Sequence, residues 1–178
     1  PDGVTYGAAI PGATSETYNP GTLSADTWYY REVTSTLGGK ACTENTNVIK
    51  ITVNNFDPGS ILDDETICDG AIASTLVSDA AVTFDVGAVI TYRWMESSNG
   101  VAFTPIAGLP GAGEDYDPGV LTADKWYKRS VISTMGTNVC TEETNTIKVT
   151  VINFLPGSIG SDQTICEGSV PSSFTSVA

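Results

Sequence analysis

The residues with the most chemistry in this chain are its four cysteines, and they fall at two positions of a repeat. Cys42 and Cys140 lie 98 positions apart (140 − 42), and so do Cys68 and Cys166 (166 − 68). There is no Cys-x-x-Cys and no histidine. The usual zinc and dithiol spacings are therefore missing, and Ser-His-Asp and Cys-His catalysis is excluded. What remains for the thiols is a structural disulfide in an oxidising compartment, or a reduced buried state. Two pairings fit the repeat: Cys68 with Cys140 inside one unit, or Cys42 with Cys68 and Cys140 with Cys166 between units. The first is the expectation. Cys140 is placed in a loop before a last strand, and that strand, at about 3.3 Å per residue, carries the next unit's cysteine far off. A disulfide needs its Cα atoms within roughly 7 Å.

The carboxylates are less specific. Asp63-Asp64-Glu65 is the densest cluster, but its counterpart reads Ser161-Asp162-Gln163, so only Asp64 has an acidic equivalent. A solvated turn accounts for it, and the alternating ligands of a calcium loop are absent. Trp28-Tyr29-Tyr30 and Trp126-Tyr127 offer an aromatic platform for sugars, with Trp28, Tyr30 and Trp126 as contact candidates. Strand alternation sends at least one ring of each pair inward. Trp94, Trp126 and Tyr127 are expected core aromatics. Arg31 and Arg129 are expected to lay their stems across a sheet face and pair with carboxylates. No cofactor or metal is called for.

The elements behind these residues repeat as the cysteines do. Tyr18-Asn-Pro-Gly-Thr-Leu-Ser-Ala-Asp-Thr-Trp-Tyr returns as Tyr116-Asp-Pro-Gly-Val-Leu-Thr-Ala-Asp-Lys-Trp-Tyr at the same offset. A constant offset marks tandem copies of one folding unit, here the size of a small domain. One complete unit is expected over 56–153, with the C-terminal part of a preceding unit over 1–55 and the start of a following one over 154–178. The apolar pattern has period 2. Ile147, Val149 and Val151 alternate with Lys148, Thr150 and Ile152, as Ile49, Ile51 and Val53 do with Lys50, Thr52 and Asn54. Asn99-Gly100 predicts a tight hairpin, and Pro20-Gly21 and Pro118-Gly119 predict type II turns. Strands are expected over 59–67, 74–84, 89–97, 101–106, 115–121, 126–134 and 144–153. Seven strands with Trp94 on the third form an immunoglobulin-like plan, so the expected fold is all-β, tandem immunoglobulin-like β-sandwich repeats of about 98 residues.

Eight Lys+Arg against 21 Asp+Glu give a net charge of −13. Phosphate backbones and anionic membranes are repelled, so nucleic acid is not an expected partner. The charge serves solubility and mutual repulsion of crowded chains. No apolar run approaches the roughly 20 residues that span a bilayer.

Several linked motifs carry a family resemblance: Asn99-Gly-Val-Ala-Phe-Thr, Tyr-Asn/Asp-Pro-Gly-x-Leu-x-Ala-Asp, Trp-Tyr-x-Arg, Cys-Thr-Glu-x-Thr-Asn and Gly-Ser-Ile-x-x-Asp-x-Thr-Ile-Cys. Together they resemble the tandem immunoglobulin-like repeats of giant Bacteroidetes cell-surface proteins, the SprB-type gliding-motility adhesins. The resemblance implies type IX secretion and an extracellular, outer-membrane-attached filament that grips a substratum or polysaccharide and is moved by gliding machinery. It implies neighbouring repeats as partners and brings no catalytic residues. A carbohydrate-binding module, or an accessory domain of a large secreted hydrolase, is the alternative.

Overall fold

The computed structural model describes residues 5–160 and 162–177. They are all-β: among them there is no α-helix, only one 3-10 turn at Leu109–Ala112. In chain order the strands are β1 (Thr27–Tyr29), β2 (Glu32–Leu37), β3 (Lys40–Asn45), β4 (Ile49–Ile51), β5 (Phe56–Asp57), β6 (Ser60–Ile61), β7 (Glu65–Cys68) and β8 (Ser78–Ala80). There follow β9 (Thr83–Phe84), β10 (Val89–Ser97), β11 (Thr104–Pro105), β12 (Lys125–Met135), β13 (Asn138–Glu143), β14 (Ile147–Ile152), β15 (Ser158–Ile159) and β16 (Ser176–Val177).

The framework is a six-stranded sheet in the order β11-β10-β12-β14-β7, with β13 beside the second half of β12. β10 and β12 pair antiparallel from Val89↔Thr134 to Ser97↔Trp126. β14 covers the start of β12, through Lys125↔Val149 and Tyr127↔Ile147. β7 then adds in parallel, from Val149↔Glu65 to Ile152↔Cys68. Alternation decides which side chains go inward. Trp94, Tyr127, Val131, Ile147, Val149 and Val151 are buried, whereas Lys148 and Thr150 between them are not.

Ile61, Ala73, Leu76 and Leu121, from outside this sheet, close the core against Trp94 and Tyr127. Their segments are tied by the β6–β8 pair and by single bridges, Ile72↔Val120 and Leu76↔Tyr116. Each fully buried aliphatic or aromatic chain contributes about 1.5–3 kcal/mol.

The flanking segments repeat these pairings. β1–β4 aligns Thr27↔Ile51 and Tyr29↔Ile49, and β2–β3 aligns Glu32↔Asn45; each is the pairing of β12 with β14 or β13, displaced by 98 positions. Burial does not repeat. Val131 and Ile147 are 0 % and 3 % exposed, but their equivalents Val33 and Ile49 are 47 % and 54 % exposed. Of the residues that close the core in the central unit, Ile61, Ala73 and Leu76 have no equivalent among the described residues of the first copy.

The strands of the unit differ in places from the sequence expectation. The 59–67 stretch splits into β6 and β7, because the Asn145 carboxamide takes the Ile61 N–H at 2.8 Å and the Asp64 carboxylate takes the Lys148 N–H at 2.7 Å. The 115–121 stretch makes only bridges. Asn99-Gly100 lies in a longer loop between β10 and β11, pinned by the Asn99 and Ser97 side chains. β13 was not expected: Met135↔Asn138 closes a two-residue hairpin over Gly136 and Thr137, with Gly136 at φ 61.

Candidate functional site

The polar groups that recur in both copies form a clasp where β12 meets β14 and, in the first copy, where β1 meets β4. Asp124 sits just before β12 and Lys148 on β14, across from Trp126. The Asp124 carboxylate accepts Lys148 Nζ at 2.6 Å and the Val151 N–H at 2.8 Å. Lys148 Nζ also lies 4.9 Å above the Trp126 ring. In the first copy Asp26, Lys50, Val53 and Trp28 repeat all of this at 2.6, 2.8 and 4.9 Å. The Lys148 hydrogen bond, then the Val151 N–H, hold the Asp124 carboxyl below the usual aspartate value, and Lys50 with Val53 does the same to Asp26. This carboxylate serves as an acceptor that ties the start of β12 to β14.

Arg129 is the second recurring group. Its neighbours on β12 point it inward with Tyr127 and Val131, and it is fully buried. Nη1 donates to Ser78 Oγ at 2.8 Å and to the Glu114 carbonyl at 2.9 Å. The guanidinium lies 4.9 Å over Tyr92 and 5.8 Å over Trp94. Burial lowers its pKa, with the charges of Glu114 and Asp115 opposing. The expected carboxylate pairing does not form. Aromatic faces and a backbone carbonyl take its place, which suits a weakly hydrated planar cation. Arg31 in the first copy reaches the Glu16 carbonyl in the same way at 2.8 Å.

Of the expected core aromatics, Trp94 and Tyr127 are in the core, at 0 % and 1 % exposure, and Trp94 Nε1 donates to the Gly113 carbonyl at 3.2 Å. Burial raises the Tyr127 phenol's pKa, and Tyr116 and Glu96 add to the rise. Trp126 is a correction. It lies half-buried outside the core cluster, because its neighbour Tyr127 holds the inward phase. Its ring packs under Lys148 and against Gly100, where an added Cβ would meet Nε1 at 3.0 Å. Trp28 is likewise under Lys50, and Tyr30 stacks edge-on against Tyr6 at 4.6 Å. Trp28 and Trp126 each have a lysine over one face, and Tyr30 has Tyr6 against it.

The cysteines correct the expected pairing. None is bonded. Cys68 is level with Ile152, which the β12–β14 register carries past the start of β12, to the level of residue 122. Cys140 is level with Ser133 near the other end of β12. About eleven strand positions separate them, roughly 35 Å. A Cys68–Cys140 bond inside the unit is excluded by that span. The parallel partnering of β7 with β14 is the reason: it takes Cys68 to the outgoing end of the last strand.

Among the described residues, no three His, Cys, Asp or Glu side chains gather to hold a metal, and no helix is long and apolar enough to cross a membrane. Asp63 and Asp64 separate in role, since Asp64 caps the Lys148 N–H. Shallow grooves lie along the C-terminal segment, lined by Gln163, Ile165, Ser172 and Phe174. There Gln163 and Ser172 are joined as Glu65 and Ser74 are in the central unit.

The chain matches the family model DUF8696, a domain of unknown function, over residues 1–55 and 57–153, and belongs to that family. No curated protein and no solved structure matches it.

Proposed function

We propose that this chain is a segment of a long secreted array of immunoglobulin-like β-sandwich units of about 98 residues, a cell-surface adhesin whose units hold and space an attachment surface. Its place is extracellular, on the outer membrane, and its role is mechanical and adhesive, with attachment during gliding as the setting. The observation that carries this reading is the recurrence of whole interaction sets at one offset. Asp124–Lys148–Trp126 and Asp26–Lys50–Trp28 are the same clasp, and β12–β14 and β1–β4 the same pairing. The charges of the clasp are taken up by each other and by backbone, the pattern of groups that maintain a fold. A −13 charge keeps crowded filaments apart.

Single-molecule extension of the full-length protein under reducing conditions tests the reading. Repeated unfolding steps of equal length, each about 30 nm for a unit of this size, are expected. Smooth extension below a few piconewtons, or a single step, overturns it. Adhesion of the same protein to a bare or polysaccharide-coated surface is the second readout.

A further inference from the structure

The junction between the first copy and the central unit shows where the cysteines belong. Asn54, just past β4, donates from Nδ2 to the Ser133 carbonyl at 3.3 Å and accepts from Ser133 Oγ at 3.0 Å. Ser133 is the register partner of Cys140 on β13, so their side chains share one face, one strand spacing apart. Asn54 holds the position of Ile152 in the repeat (152 − 98). Ile152 is the register partner of Cys68. A complete preceding unit thus sets its own equivalent of Cys68 beside Asn54, one strand spacing of about 4.8 Å away. Two short rows face each other across the junction, cysteine–Asn54 on one side and Cys140–Ser133 on the other.

Resting on the array reading, we propose that Cys140 forms a disulfide with the Cys68-equivalent of the unit before it, and Cys68 with the Cys140-equivalent of the unit after it. Each unit has one thiol at its incoming end, near Asn54, and one at its outgoing end, near Ile152. No two of the four cysteines in this chain are partners on that scheme, in keeping with the exposed or half-buried thiols at all four positions. Forming the bond joins the two sulfurs and releases two protons and two electrons. A dithiol–disulfide oxidase takes up both by exchange and is itself reduced to the dithiol.

Non-reducing tryptic mapping of the full-length native protein tests this. Trypsin places Cys140 in peptide 130–148, Cys68 in 51–93 and Cys42 in 41–50. The expected cross-link joins 130–148 to the equivalent of 51–93 from the preceding unit. A bond from 130–148 to 51–93 itself, a Cys42–Cys68 or Cys140–Cys166 bond, or a free Cys140 thiol overturns the staple. If upstream repeat peptides are found while any of these holds, the array stands and the staple fails. If no upstream repeat peptide exists, the array reading fails first. As a second measurement, Cys140→Ser is expected to expose one thiol in the preceding unit and none at Cys68. Labelling at Cys68 overturns the proposal.

Discussion

Lys148 lies over the ring of Trp126, its Nζ 4.9 Å from the centroid, and from there reaches Asp124 at 2.6 Å. One side chain thus joins two strands by charge and covers an aromatic face, and Lys50 does the same over Trp28.

The carboxylates of this clasp make stability sensitive to acid. Their folded-state pKa is below the ordinary aspartate value of 3.8, chiefly through the lysine hydrogen bond. A depressed carboxyl contributes stability that is present above the unfolded pKa and lost as pH falls through the folded one. The melting temperature is therefore expected to fall as pH drops below about 4. In Asp124→Asn that acid-dependent loss should shrink, while stability at neutral pH should be lower than in the parent. A variant with the parent's acid profile would remove the clasp from the account.

Arg129→Ala should cost about 3–5 kcal/mol, because it leaves a cavity beneath Tyr92 and Trp94 and removes the guanidinium donor from Ser78 Oγ and the Glu114 carbonyl. Arg129→Met, close in volume, should lose clearly less. Denaturant unfolding of the two variants gives the comparison. Equal losses would mean that the charge matters and the volume does not.

Gly59 opens the unit at φ +66, and a Cβ there would lie 2.2 Å from the Ala80 carbonyl oxygen. Gly59→Ala should cost on the order of 2 kcal/mol or more, through the left-handed backbone and the clash with β8. Gly157, its equivalent, also has positive φ but nothing within 4 Å, so Gly157→Ala should be the milder change. Thermal melts of both distinguish steric contact from backbone strain alone.

Trp94→Ala should cost about 3–5 kcal/mol, as for a fully buried indole. Trp126→Ala should cost markedly less, since Trp126 lies outside the core cluster. Similar losses from the two variants would contradict the placement of Trp126.

Long, regularly patterned strands were legible in the sequence. The 89–97 expectation coincides with β10, and 126–134 falls one residue short of β12 at either end. Trp94 and Tyr127 were legible as core for the same reason. The short elements were not, because their pairing is decided by side chains distant in sequence: Asn145 at Ile61, Asp64 at Lys148, Glu65 at Ser74. Gly136-Thr137 carried a hairpin signal that went unread, and β13 was missed with it. The cysteine pairing failed at another point. Nothing local in 65–68 shows that this strand runs parallel to the last one, and that single non-local pairing sets the level of Cys68. The Asp124–Lys148 clasp was visible only as a repeat of residue types, without its geometry.

The parallel pairing of β7 and β14 also fixes how a unit responds when its ends are drawn apart. β7 enters the main sheet from the incoming junction and β14 leaves it toward the outgoing one, side by side and pointing the same way. Tension on the two ends therefore slides one strand along the other. The row of hydrogen bonds from Val149↔Glu65 to Ile152↔Cys68 is loaded together, in shear, and does not peel open one bond at a time like a zip.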